Sequence, residues 1–117
     1  MKNTIHKFKC KTGKGNFEGR SITENSIEFY RPVINWIQNN LINKKSIDKF
    51  FVDFQLEYFN TSSSKCILSI LTNLENAYEL GVDIKINWFY EKDDEDILEA
   101  GEYFDRLVNL PIKLIEL

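Results

Sequence analysis

The segment FFVDFQLEYFNTSSSKCILSIL, Phe50 to Leu71, contains both periodicities from which a mixed fold is built. In its first half Phe50, Val52, Phe54, Leu56 and Tyr58 alternate with Phe51, Asp53, Gln55 and Glu57. Side chains two residues apart share one face of a strand, so this half reads as a strand with one buried face. In its second half Ile67, Ile70 and Leu71 begin a spacing of three and four that continues through Leu74, Ala77 and Tyr78. That is the apolar stripe of a helix. Between the two stands NTSSSK, with four hydroxyls in a row from Thr61 to Ser64. Thr61 or Ser62 is placed to cap the helix, which contributes about 1 kcal/mol. A cap needs one hydroxyl, and Ser is only a middling helix former, so the run asks for a further explanation.

Outward toward the C-terminus, Gly81 is a C′ residue that ends the helix. Val82, Ile84, Ile86, Trp88 and Tyr90 alternate as a second strand. EKDDED follows, then a helix with Ile97, Ala100, Phe104 and Leu107 on one side, stopped at Pro111. IKLIEL reads as a last strand. Toward the N-terminus, Ile27, Tyr30, Ile34, Ile37 and Leu41 mark a helix over residues 24–41. Thr23 is its N-cap candidate, and Pro32 is expected to kink or shorten it. IHKFKC and NFEGRSI flank the glycines of KTGKG as a hairpin. The order β-β-α-β-α-β-α-β predicts an α/β fold: a mixed sheet covered by helices, antiparallel in its opening hairpin and parallel later. Helices are expected on both faces of it, with Phe51, Phe59 and Phe89 filling the second face rather than standing exposed at a partner surface, which is the alternative for them.

The bulk numbers bound the function. A chain of 117 residues is expected to form one domain, residues 1–117, with a core that needs no disulfide staples. A net charge of −3 argues against nucleic-acid binding. No apolar run reaches the length of a membrane span, and MKNTIHKFKCKTGKG lacks the apolar core of a secretory leader. Cys10 and Cys66 are too few for a disulfide framework or a zinc site, and are expected to be reduced thiols in a cytoplasmic protein. No cofactor is implied.

In a parallel sheet the loops leaving the C-terminal strand ends gather on one edge. NTSSSK is such a loop, and it opens a helix whose free N–H groups and dipole attract an anion. A phosphate written on a hydroxyl there adds about −1.5 to −2 charges. A catalytic hydroxyl is the poorer reading, because it needs a base and the one histidine is His6, on the opening strand. Arg20, Lys65 and Lys92 are cations that could meet a phosphate, and Lys65 is nearest in sequence. Asp93, Asp94, Glu95 and Asp96 occupy the corresponding loop after the second strand. Asp94 is placed to cap the next helix, with Glu95 and Asp96 complementing its dipole. Metal binding and docking of a basic partner are the alternatives for this cluster.

Three blocks in this order, EGRSITENSIEFYRPVINWI, LEYFNTSSSKCILSIL and WFYEKDDEDILEAGEYF, resemble the SiaC family of bacterial regulatory phosphoproteins. The likeness runs over nearly the whole chain and implies a STAS-like fold, that of anti-sigma-factor antagonists. It implies a partner switch and no enzymatic activity. A kinase would phosphorylate Thr61, and a metal-dependent serine/threonine phosphatase would reverse it. The unphosphorylated form would bind and activate a diguanylate cyclase, raising cyclic di-GMP and promoting biofilm formation. The partner surface would then comprise Asn60, Thr61, Ser62, Ser63, Ser64 and Lys65 with Asp93, Asp94 and Glu95. Ser62, Ser63 and Ser64 are secondary candidates for the phosphate. Two other functions stay open at this point: an anti-sigma antagonist acting on a transcription regulator, and a small metal-dependent enzyme using Asp93–Asp96.

Overall fold

The strand marked by the alternation, β3 (Lys49–Phe59), is the middle strand of a five-stranded sheet. The computed structural model describes residues 4–11, 14–21, 26–43, 48–59 and 61–117, with side chains from Tyr30 onward except at Ser62. Along the chain lie β1 (Thr4–Lys11), β2 (Lys14–Ser21), α1 (Ser26–Ile37), β3, α2 (Thr61–Glu79), β4 (Asp83–Tyr90), α3 (Glu95–Leu107) and β5 (Ile112–Glu116). The strands line up in sequence order, β1-β2-β3-β4-β5. β1 and β2 pair antiparallel, and every later neighbour is parallel. This is the predicted mixed α/β sheet in the predicted order.

That order has a geometric consequence. Each crossover from β2 to β5 moves one strand in the same direction. Right-handed connections then place all three helices on one face. The burial agrees. Phe50, Val52, Phe54 and Leu56 of β3 and Ile84, Ile86 and Trp88 of β4 are buried in one cluster with Tyr30, Ile37, Ile70, Leu74, Ile97 and Phe104 from the helical layer. The alternate residues stay half-buried or exposed, Phe51 and Phe89 among them. The expectation of helices on both faces is therefore corrected. On the open face, neighbours in register stabilise one another. Lys85 Nζ lies 5.7 Å from the centre of the Phe51 ring. Asn87 Nδ2 donates to Asp53 Oδ1 at 2.9 Å.

The alternation of β3 breaks near its end. Pairing with β2 passes from Gly19–Leu56 to Arg20–Tyr58, so β3 carries one extra residue, Glu57. A bulge of this kind reverses which side chains face the core. Tyr58, expected inside, is 47% exposed. Phe59, expected on the second face, turns to the core, with its ring 6.1 Å from Trp88 and 6.4 Å from Phe104.

The first helix differs from its expected form. Pro32 lies inside α1 without ending it. The change comes later, where a π-helical segment (Gln38–Asn43) continues the chain. There the Asn40 side chain donates to the Trp36 carbonyl at 3.0 Å, competing with the backbone ladder. Thr23 lies outside the described residues. α2 ends as predicted. Gly81 has φ +104°, the Gly81 N–H donates to Tyr78 O, and the Val82 N–H donates to Ala77 O, both at 3.1 Å. These two bonds are a Schellman cap. Tyr78 and Leu107, expected on buried stripes, are 38% and 48% exposed, each in the last turn of its helix.

α3 sits directly on Trp88 at Gly101. A Cβ at Gly101 would lie 2.5 Å from Trp88 Cδ1 and 2.7 Å from Leu114 Cδ2. Gly101→Ala is therefore expected to lower stability by about 1–3 kcal/mol through overpacking. Urea unfolding should show a lower midpoint at unchanged slope. An unchanged midpoint would mean that α3 can lift off Trp88 without cost.

Candidate functional site

All three helices start at the C-terminal edge of the parallel strands; residues 22–25, before α1, lie outside the described residues, and two further loops open α2 and α3. The first leads to Thr61, which is exposed and is the first residue of α2. The bulge in β3 and the Phe59 anchor set where that helix starts. Ser63 is fully buried, Ser64 half-buried and Lys65 exposed. The hydroxyl run is thus divided by helical geometry, which turns Ser63 inward while Thr61 and Lys65, four residues apart, stay on one side. Ser63 is removed from the expected partner surface. Asn60, the Ser62 side chain and the Arg20 side chain lie outside the described residues.

The first turn of α2 carries no acidic residue. The opposite holds at α3. Asp94 caps it, accepting from the Ile97 N–H at 3.1 Å, and Glu95 and Asp96 follow in its first turn. The capping role foreseen for Asp94 is the observed one. Glu91, Asp93, Asp94, Glu95 and Asp96 line an open depression of about 510 Å³. Among the described residues no three His, Cys, Asp or Glu side chains converge in a way that could hold a metal ion.

Sequence reading missed a groove between α1 and α2. It holds about 380 Å³, with Ile34 and Cys66 among its lining and Arg31, Asn35, Lys65 and Ser69 around them. The two helices run in the same direction, since each leaves the C-terminal edge of a parallel strand. They pack through the shared core, and at the lower end of the groove Gln38 Nε2 donates to Asn73 Oδ1 at 3.0 Å. Arg31 lies seven residues above Gln38, and Lys65 lies eight above Asn73. At 1.5 Å per residue both cations stand about 10–12 Å up the groove, at nearly the same height. Thr61 is one turn higher on the Lys65 side. Nothing local in the sequence marks Arg31, because its role depends on which helix α1 packs beside.

Burial pushes the Cys66 thiol above its ordinary pKa. It is a neutral packing group, since a reactive thiol needs a lowered value. Any stability this contributes is complete below the ordinary thiol pKa and lost as pH rises through the raised one. In a Cys10→Ser background, Cys66 is expected to react with a thiol reagent at pH 8 at least about tenfold more slowly folded than unfolded. Equal rates would mean that the groove floor is open to solvent.

The comparisons agree on one group of proteins. The pattern of the SiaC family, described as regulatory phosphoproteins, matches residues 4–117. An uncharacterized protein of Pseudomonas aeruginosa (strain UCBPP-PA14) is 31% identical over 102 residues, 87% of this chain and 79% of that protein. A chain in the crystal structure of diguanylate cyclase SiaD in complex with its activator SiaC, from Pseudomonas aeruginosa, superposes with a TM-score of 0.84. It is 29% identical, and the match covers 95% of this chain and 89% of that one. A structure of SiaC from that organism gives a TM-score of 0.80 at 30% identity, over 90% of this chain and 83% of that one.

Proposed function

The chain belongs to the SiaC family of regulatory phosphoproteins, and from that premise we propose that it is a partner-switching activator of a diguanylate cyclase. The observation that carries this is its likeness, over 95% of its length, to a chain in the SiaD–SiaC complex. In this reading residues 1–117 act as one domain without catalysis of their own, in the cytoplasm. No helix among the described residues is long and apolar enough to cross a membrane.

Thr61 is the switch residue. A kinase adds a phosphate to its hydroxyl, and a metal-dependent serine/threonine phosphatase removes it. Thr61 is exposed and opens α2, whereas Ser63 is buried and Ser64 half-buried, and no carboxylate occupies the first turn. A phosphate there complements the helix dipole, so it leaves α2 folded. Its effect falls on the partner. A neutral threonine edge can be covered with little desolvation, whereas burying a phosphate costs several kcal/mol unless it is fully paired. Asp93 before α3 and Glu95 in its first turn, on the same edge, add repulsion.

Thr61→Ala is expected to activate the cyclase as the unmodified protein does and to refuse phosphate from the kinase. Thr61→Glu should bind the cyclase at least about tenfold more weakly, about 1.4 kcal/mol. Cyclic di-GMP production with added variant reads both. Full activation by Thr61→Glu and by the phosphorylated protein would contradict the electrostatic account.

A further inference from the structure

We infer that the α1–α2 groove is the docking site for an acidic segment of the partner, and that Thr61 phosphate acts by competing for the same cations. The inference rests on the switch reading given above and names the surface through which it works. The chain as a whole is acidic, with a net charge of −3. The groove is not: its described lining includes Arg31 and Lys65 and no carboxylate. Both cations are exposed, and no ion pair engages either among the described residues. Between them Ile34 is half-buried and Cys66 buried, which gives an apolar floor. A segment that fits sets an apolar side chain on that floor and its carboxylates against the two rims. A guanidinium takes a carboxylate bidentately, and an ammonium takes it as a point charge. The Gln38–Asn73 bond marks the lower end, and Thr61 lies one turn beyond Lys65 in the other direction.

The same geometry supplies the switch. Lys65 is four residues after Thr61, one turn along α2, within reach of a phosphate on it. A phosphate on Thr61 draws Lys65 toward itself, lowers the positive potential of the groove and repels an incoming carboxylate. Regulation then needs no change of fold, only a competing anion tethered beside the site.

The test titrates the full chain onto the diguanylate cyclase cloned from the same genome, by calorimetry at about 50 and 300 mM salt. Wild-type affinity is expected to fall several-fold between the two salts. The Arg31→Glu/Lys65→Glu variant should lose at least tenfold at low salt and show little salt dependence, with its thermal unfolding unchanged. Arg31→Lys/Lys65→Arg should bind within a few-fold of wild type. Thr61→Glu should weaken wild type strongly but Lys65→Glu hardly further, as coupled sites do. Wild-type affinity in the charge-reversed variant, with Thr61→Glu still disruptive, would overturn the groove and leave the Thr61 switch standing. Loss of binding on charge reversal together with an inert Thr61→Glu would retain the docking site and overturn the competition.

Discussion

The Trp88 indole is the contact on which the functional edge depends. It is buried in β4, and its Nε1–H donates to the Ile97 carbonyl at 2.8 Å. A buried indole without that acceptor would leave a donor unpaired, at a cost of about 1–3 kcal/mol. The bond therefore fixes the first turn of α3 above the sheet. That turn is in turn capped by Asp94, so the acidic loop and the core aromatic are two ends of one chain of bonds. Phe54, Phe59 and Phe104 surround the indole at ring distances of 5.4, 6.1 and 5.6 Å. Of these, Phe59 matters most for function. It is the last residue of β3, and its place against Trp88 sets where the chain turns into α2. Thr61 stands two residues beyond it.

The starts of α2 and α3, neighbours on this edge, solve the same electrostatic problem in opposite ways. α3 meets its dipole with carboxylates of its own, Asp94, Glu95 and Asp96. α2 has none in its first turn and presents hydroxyls. A permanent charge suits a structural cap, whereas a neutral residue at a site that favours anions suits a charge added and removed by other enzymes. Helical geometry then selects among the hydroxyls, because Ser63 is sealed in the core and Thr61 faces out. Four hydroxyls in the sequence therefore need not mean four sites. The groove below Thr61 extends the same logic to the partner, with Arg31 and Lys65 as the counter-charges.

Much of the fold was legible because it rests on local periodicity. Phe50 to Leu56, Ile84 to Trp88 and Ile67 to Ala77 each bury the side chains that their spacing predicts. Gly81 and Asp94 act at the helix ends as their types require. The failures share a cause, which is geometry between elements. One extra residue in β3 reverses Tyr58 and Phe59, and single-strand alternation cannot register a bulge set by pairing with β2. Phe51 and Phe89 were expected under helices because parallel sheets are usually covered twice. The strand order decides otherwise, since three crossovers in one direction stack on one face. Thr61 was legible as a hydroxyl between a strand and a helix. Arg31 was not, since it meets Lys65 only through the packing of α1 beside α2.

A neutral hydroxyl at the mouth of α2, charged on demand, is the center of this account, and phosphosite mapping by mass spectrometry tests it most directly. The protein would be isolated from its own cells under conditions of low and high cyclic di-GMP. The account predicts phosphate on Thr61, abundant when cyclic di-GMP is low and scarce when it is high. Phosphate confined to other residues, or a Thr61 that stays unmodified in both conditions, would contradict it.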